Sequence, residues 1–190
     1  MSRLSIARCV IVALTVVLSA APVARAGSHP PDRNGFMIGF GLGGASLGLE
    51  GAEEREGSVT ANFRIGYAVR PDLVIHYEGS AWAKTFETAL GDATWSFSTN
   101  TVALTWFPSN MGLFLRGGAG LASARLDVET GGVTISDDEG GFGMLVAGGY
   151  EFRLTKKFGL ALQAEYAYQS LDTLESANLI GGGLGFNWYW

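Results

Sequence analysis

Cysteine is almost absent from the sequence, with Cys9 the only one among 190 residues. Cys9 lies in an N-terminal segment that we expect to be removed, so neither a disulfide framework nor thiol chemistry is expected of the rest of the chain. Charged residues are scarce: at 16% they fall below the roughly one quarter that is usual. No stretch keeps a 3.6-residue period, which argues against an α-helical fold. The chain is nevertheless 47% hydrophobic, too apolar for a disordered polypeptide.

The sequence also lacks a hydrophobic run long enough for a membrane-spanning helix. The N-terminal candidate lies between Arg8 and Arg25 and has only 16 residues, whereas a spanning helix needs about 20. Its layout is that of a secretory signal peptide: a basic start, an apolar stretch and the motif Ala24-Arg25-Ala26. We therefore predict that residues 1–26 are a cleaved signal peptide rather than an uncleaved membrane anchor.

Positive charge is scarce in the remaining chain. Removal of residues 1–26 takes away Arg3, Arg8 and Arg25 but no acidic residue, which leaves 10 Lys and Arg against 18 Asp and Glu, a net charge of −8. Domains that bind nucleic acids usually carry a basic face. The acidic balance therefore argues against a nucleic-acid partner.

Alternation with a period of two residues recurs along the chain. The clearest example is SVTANFRIGYAVR, residues 58–70. Successive side chains of a strand point to opposite faces, so this segment is predicted to be a strand with one apolar face and one polar or small face. The apolar face consists of Val59, Ala61, Phe63, Ile65, Tyr67 and Val69.

Eight segments of about a dozen residues follow the same rule. They are 36–47, 58–70, 73–84, 95–107, 113–126, 142–154, 158–169 and 178–190. Strands of soluble sheets average about 5–6 residues, whereas a tilted strand that crosses a bilayer needs about 9–11. We predict an all-β fold: an eight-stranded antiparallel up-and-down transmembrane β-barrel.

The connections between these segments alternate in length. Turn-forming residues make the short ones, which are 70–72, 108–112 and 155–157. The long connections are polar and comprise 48–57, 85–94, 127–141 and 170–177. Short turns and both termini at one end, with long loops at the other, are the asymmetry of an outer-membrane barrel.

Alternation alone does not decide which face points outwards, because a soluble lipocalin-type barrel alternates with its apolar face inside. An eight-stranded barrel has an interior just wide enough for side chains, and this favours the small and charged face as the inner one. An Arg on the lipid face at mid-bilayer costs roughly 2–4 kcal/mol, and Arg125, near the long-loop end, is the single charge that we assign to the bulky face. Aromatic residues near strand ends are expected to form interfacial girdles: Trp106, Phe107, Phe158, Trp188 and Trp190.

The C-terminal segment GLGFNWYW, residues 183–190, has hydrophobic residues at every second position and ends on an aromatic one. In this it resembles the small bacterial outer-membrane β-barrel family, which includes the OmpA transmembrane domain and OmpX. The resemblance implies that the barrel-assembly machinery reads this segment as a C-terminal assembly signal. The signal residues are Leu184, Gly185, Phe186, Trp188 and Trp190.

The resemblance also implies the surroundings of the protein. Its partners are expected to be outer-membrane lipids and lipopolysaccharide, together with periplasmic chaperones during assembly. The protein is expected to be a monomer in the bacterial outer membrane, which it reaches after secretion to the periplasm. Residues 27–34 are predicted to be a periplasmic N-terminal tail and residues 35–190 the barrel domain.

Inward-facing charges are balanced in sign. We predict a lumen charge network with its hydrogen-bonding neighbours, made of Arg64, His76, Glu78, Arg116, Glu151, Arg153, Gln163 and Glu165. Pairing is expected because an unpartnered charge in a narrow lumen is costly. Arg64 comes close to Glu78 across a tight hairpin, and Arg116 and Glu151 lie near their turns on neighbouring strands. The network is interpreted as a satisfied polar plug, with a gate that opens a small pore as the alternative.

No catalytic residue, cofactor or metal site is assigned. His76 faces inwards and lacks the His-Ser-acid arrangement that a nucleophilic hydrolase needs. The G-x-G-x-x-G match at Gly39–Gly44 lacks the following helix of a nucleotide site. The acidic loops carry no calcium-loop pattern, although binding of divalent cations there remains an alternative to a solvated surface.

The predicted function is that of an integral outer-membrane protein without enzymatic activity. It would have an envelope-structural role, or a surface-interaction role through four long extracellular loops. A fold does not fix a function, so two alternatives stand beside this one. The first is a narrow pore or carrier of small solutes, and the second is a lipid A-modifying enzyme.

Overall fold

The computed structural model describes residues 33–52, 54–88, 91–108, 111–130, 133–172 and 176–190. The predicted signal peptide and residues 27–32 of the predicted tail lie outside these ranges. The regular elements are eight strands: β1 (Gly35–Leu49), β2 (Glu56–Arg70), β3 (Leu73–Thr88), β4 (Gly91–Trp106), β5 (Leu113–Thr130), β6 (Val133–Arg153), β7 (Phe158–Leu171) and β8 (Ala177–Tyr189). In the described ranges, no helix is long and apolar enough to cross a membrane.

The strands form one closed barrel in chain order, each antiparallel to the next, and β8 closes on β1. When the register is followed once around the barrel from Ile38, it returns to β1 at Gly48, a stagger of ten residues. With a rise of about 3.3 Å per residue and a strand spacing of about 4.8 Å, this stagger corresponds to a tilt of roughly 40°. The predicted fold class is confirmed.

The two faces of the barrel lie as the alternation predicts. Bulky apolar side chains are exposed on the outside, among them Phe40, Leu42, Tyr67, Val102, Leu121, Val146 and Leu184. Many inward positions are glycine because the backbone of the neighbouring strand lies very close to them. A Cβ at Gly120 would collide with the carbonyl oxygen of Asn100, and one at Gly149 with that of Leu162.

Two of the predicted long loops are wrong, because the strands continue through them. β3 and β4 pair as far as Thr88 and Gly91, so most of 85–94 is strand. β5 and β6 pair as far as Thr130 and Val133, so most of 127–141 is strand as well. The alternation persists there, but polar side chains face outwards, which a rule based on apolar outward residues does not recognise.

Apolar side chains fill both ends of the lumen. We call the end with the short connections the turn end and the opposite one the loop end. The turn-end layer consists of Met37, Ala68, Val74, Phe107, Phe114, Ala161 and Tyr189. The loop-end layer consists of Leu47, Trp82, Phe97, Ala122, Ala124, Leu171 and Ala177. The assignment of Phe107 to an outer girdle is therefore wrong: this ring is buried inside, packed on Phe114.

Candidate functional site

Arg116 on β5 links three strands across the middle of the lumen. Its Nε lies 3.1 Å from Glu78 Oε2 on β3, and its Nη2 lies 3.0 Å from Glu165 Oε2 on β7. Gln163 Oε1 accepts from both terminal nitrogens at 3.4 Å. The side chains of Arg116 and Glu78 are fully buried. One cation thus holds two carboxylates in the middle of the lumen.

Arg64 does not form the ion pair that the sequence suggests. It lies directly opposite Glu78 in the β2–β3 register, but Glu78 pairs with Arg116 instead. Arg64 extends towards β1 and β8, where its Nη2 donates to the Phe40 carbonyl oxygen at 3.3 Å. The glycine at position 185 makes room for it, since a Cβ there would lie 2.9 Å from Nη2.

Glu151 is the centre of a second cluster, at the turn end. Its Oε2 accepts from Asn187 Nδ2 at 2.7 Å and from the Tyr189 hydroxyl at 2.9 Å, and Arg153 Nη1 lies 3.6 Å from Oε1. The expected pairing with Arg116 is wrong. Arg116 lies opposite Ala147, four residues further from the turn, and extends towards the middle of the lumen.

Arg33, which precedes β1, completes this cluster and was not among the predicted site residues. Its Nε donates to Glu151 Oε1 at 3.0 Å, and its Nη2 donates to the Met111 carbonyl oxygen at 2.7 Å. The guanidinium carbon lies 3.5 Å from the centre of the Phe107 ring, and the residue is fully buried. It lies outside any alternating segment, so periodicity carries no signal for it.

His76 is buried on the inner face of β3. Its Nε2 lies 2.9 Å from the Thr105 hydroxyl oxygen. Both residues lie between the apolar layers, and the nearby charges are the cations Arg64 and Arg116. The arrangement has a hydroxyl and an imidazole, but the orienting acid of a hydrolytic triad is not among the partners of His76.

A small cavity adjoins the charge network. A cavity of about 30 Å³ lies on the loop-end side of Arg116, among Asn62, Ser80, Thr99, Gln163, Glu165 and Gln169. This volume holds one or two water molecules. Trp82 lies across the barrel above it and donates from Nε1 to the Ala45 carbonyl oxygen on β1 at 3.1 Å. The lumen is therefore closed in its middle and at both ends.

This closure predicts that the refolded protein does not conduct ions. In planar bilayers that contain it, we expect no discrete current steps beyond those of a protein-free membrane. The two apolar layers exclude water at both ends of the charge network, so rearranged ion pairs alone do not open a path. Reproducible steps that scale with the amount of refolded protein would contradict this and favour a gated pore.

Four strands rise above the others at the loop end. Pairing of β2 with β3 stops at Trp82, and pairing of β6 with β7 stops at Gly141. We call the four-stranded sheet beyond these points, residues 83–88, 91–97, 122–130 and 133–140, the protrusion. Among the described residues, no further strand pairs with its two outer edges, which lie on β3 and β6.

The protrusion reverses the polarity of the barrel. On its outer face, Thr85 bonds Thr94 at 2.9 Å, and Arg125 donates to Asp138 at 2.5 and 2.8 Å. Hydrogen bonds from Arg125 hold the pKa of the Asp138 carboxyl below its ordinary value. Apolar residues occupy the inner face instead: Phe86, Trp95, Leu126, Val128 and Ile135. Arg125 is an outward charge, as the sequence indicates, but it is paired and lies above the apolar belt.

The protrusion is acidic. Its carboxylates are Glu87, Asp92, Asp127, Glu129, Asp137, Asp138 and Glu139, against the cations Lys84 and Arg125. Within the described ranges, no group of three or more His, Cys, Asp or Glu is arranged to hold a metal ion.

The C-terminal residues form β8, which pairs with both β1 and β7. Leu184 is exposed on the outside, and Gly185 faces Arg64 inside. Trp188 contacts Phe40 and Phe158, and Trp190 contacts Phe36, with ring centres 4.8–6.2 Å apart. The aromatic end of the chain is thus an ordered part of the outer surface at the turn end. Its reading by an assembly machinery stays a prediction.

Solved structures with the same fold are outer-membrane proteins. The chain is similar to Ail, the attachment invasion locus protein of Yersinia pestis, in complex with the heparin analogue sucrose octasulfate. The TM-score is 0.62 at 16% identity, over 82% of this chain and 99% of that one. It is also similar to Neisserial surface protein A, with a TM-score of 0.61 at 15% identity over 82% and 97% of the two chains. At these identities the likeness shows the fold alone.

Sequence comparison gives the family. No curated protein matches this chain. The family model described as the outer membrane protein beta-barrel domain, however, matches residues 10–187, which is most of the sequence. The chain therefore belongs to the outer membrane protein β-barrel family and is a barrel of the bacterial outer membrane.

Proposed function

We propose that this protein is a non-enzymatic surface-interaction protein that acts through the protrusion. The observation that carries the proposal is the extension of β3–β6 beyond the other four strands, with a polar outer face and two edges along which the described residues show no further strand pairing. In barrels of this type the longer connections face the exterior. The protrusion thus takes the place of the four long loops expected from the sequence as the part of the chain that meets other molecules.

The edge of β6 in the protrusion carries charges that oppose self-association. Edge strands recruit other strands unless charges or bulges prevent it. Residues 133–140 carry Asp137, Asp138 and Glu139 in succession, which disfavours pairing between two copies of this edge. This supports a monomer whose protrusion remains available to a different partner.

The charge of the protrusion indicates the charge of the partner. The protrusion has seven carboxylates but only two cations, so it is net negative. Complementary electrostatic potentials steer the association of two proteins. The ligand of the Ail complex, sucrose octasulfate, is anionic and would be repelled here. The partner that we propose is therefore a basic macromolecular surface. Lipids and lipopolysaccharide are proposed to contact the apolar outer belt rather than this sheet.

The closed lumen supports a function without catalysis. The single described histidine, His76, lies with Thr105 between two apolar layers, where neither water nor a lipid headgroup reaches it. If expression of the chain changed the mass of lipid A, the enzymatic alternative would replace this proposal.

The proposal is tested by shortening the protrusion. In the variant, residues 83–96 and 123–140, which contain all seven carboxylates of the protrusion, are each replaced by Asn-Gly, a sequence that favours two-residue hairpin turns. The removed segments are flanked by the register pairs Trp82–Phe97 and Ala122–Gly141, so the strands below keep their pairing. Cells that express the full chain should be retained on a basic protein coating more strongly than cells with the variant. The difference should decrease as salt rises.

Heat-modifiable gel migration is the control that both forms are folded barrels in the membrane. Coatings of an acidic protein provide the second control and should retain both kinds of cell equally weakly. Equal retention on the basic coating, with both forms folded and equally abundant, contradicts the proposal and leaves an envelope-structural role.

A further inference from the structure

The inner face of the protrusion carries a strip of apolar side chains that is partly buried at its base and exposed at Ile135. We call the residues Phe86, Trp95, Leu126, Val128 and Ile135 the inner strip. The strip is continuous with the loop-end layer, because the Trp95 ring lies 6.4 Å from that of Phe97. Ile135 is 67% exposed, and the other four residues of the strip are half-buried. The other four strands end below it, at Leu49, Glu56, Leu171 and Ala177.

The size of the strip fits a helix. It crosses four strands, which is roughly 14 Å at a spacing of about 4.8 Å, and an α-helix with its side chains is about 10–12 Å wide. Amphipathic helices bind by laying their apolar face into such a surface. The strip is therefore wide enough for one helix.

Acidic groups border the strip on one side. Asp137 and Glu139 share the inner face of β6 with Ile135, by the alternation of the strand. On the opposite side, Lys84 is the one cation among the described residues of this inner face, and it is paired with Glu56 at 2.5 Å. The surroundings of the apolar surface are thus net negative. An anionic amphiphile, such as a fatty acid or a phospholipid, would meet repulsion there.

We propose that the inner strip binds a basic amphipathic helix, with the apolar face of the helix on the strip and its cations towards Asp137. This inference rests on the proposed function and names the class of its partner: a helical peptide segment rich in Lys or Arg. The outer face of the protrusion, with its hydroxyl pairs and the Arg125–Asp138 ion pair, does not take part.

The test uses the full chain refolded into nanodiscs of zwitterionic lipid. The probe is an 18-residue peptide with leucines on one helical face and lysines on the other, followed by titration calorimetry. Empty nanodiscs measure binding to lipid, which is subtracted. Two control peptides replace all lysines by glutamate or all leucines by serine. We expect saturable binding of the probe and none of either control.

Neighbouring residues on opposite faces give matched variants. Asp137 lies on the inner face and Asp138 on the outer face, so Asp137→Asn and Asp138→Asn change the same charge on the two sides. We expect Asp137→Asn to weaken binding about fivefold and Asp138→Asn to change it less than twofold. Ile135→Ser should weaken it about tenfold, whereas Thr134→Ala should have no effect.

The outcomes separate this inference from the proposed function. Equal weakening by the two aspartate variants would show attraction to the whole acidic surface, which overturns the inner strip as the site. Absence of saturable binding, or equal binding of the glutamate peptide, overturns it as well. In each of these cases the retention of cells on a basic coating still decides whether the protrusion interacts with other molecules. Heat-modifiable migration of every variant shows that the barrel is intact.

Discussion

Replacement of Arg116 by alanine is expected to lower the free energy of unfolding by about 3–5 kcal/mol, the usual cost of removing one partner from a buried ion pair. Arg116 is the ion-pair partner of both Glu78 and Glu165 in the middle of the lumen. Without it, two carboxylates remain close together in a space that holds only a few water molecules. The measurement is urea unfolding of the refolded protein in lipid vesicles, with the heat-modifiable band as the folded signal.

Two further variants separate the charge effect from loss of packing. The first is a triple variant, in which Glu78→Gln and Glu165→Gln are added together to Arg116→Ala. It removes the unpaired carboxylates and should recover a large part of the lost unfolding free energy. Arg125→Ala is the matched control, because Arg125 is paired with an aspartate on the exposed outer face and its removal should leave unfolding unchanged. If Arg116→Ala unfolds at the same urea concentration as Arg125→Ala, the charge network does not stabilise the barrel.

The barrel itself could be predicted from the sequence because its interior is narrow. In β2, alternation of Phe63 and Ile65 with Arg64 and Gly66 separates side chains by size as well as by polarity. Only the small and charged set fits inside eight strands, so the outward face follows from geometry. The same argument predicts the strand count, because each crossing of the membrane needs its own alternating segment.

The protrusion could not be predicted with the same rule. Beyond Trp82 the strands leave the apolar belt, and polar side chains become the outward ones, as at Thr85 and Thr94. A rule that requires apolar residues at outward positions therefore recognises no strand in this region and predicts a polar loop. The period of two is nevertheless still present, and a search that allowed the polarity to reverse would have extended β5 and β6.

The partners of the lumen charges also depend on more than the alternation. Register places Arg64 opposite Glu78, but the long arginine side chain reaches past its nearest neighbour, and Arg116 takes the carboxylate from across the lumen. The position of Tyr189, by contrast, does follow from the alternation. It shares the inward parity of Asn187, and it donates to Glu151.

Replacement of Arg33 by alanine is expected to cost about 3 kcal/mol, at the low end of the range for a broken buried pair, because Arg153 remains 3.6 Å from Glu151. Arg33 connects the segment before β1 to three other places at the turn end: Glu151 on β6 and the carbonyl oxygens of Met111 and Pro71. Its loss also removes the cation above Phe107. Urea unfolding in vesicles measures the effect.

Three variants test whether Arg33 acts through Glu151. Arg33→Lys keeps the charge but not the planar group that donates in several directions, so it should recover only part of the loss. Arg33→Ala combined with Glu151→Gln should be more stable than Arg33→Ala alone, because no unpaired carboxylate stays in the apolar layer. Arg70→Ala, which breaks an exposed pair with Asp72 at the same end, should cost no more than about 1 kcal/mol. If Arg33→Ala and Arg70→Ala lowered the free energy of unfolding equally, the segment before β1 would contact the barrel mouth without stabilising the barrel.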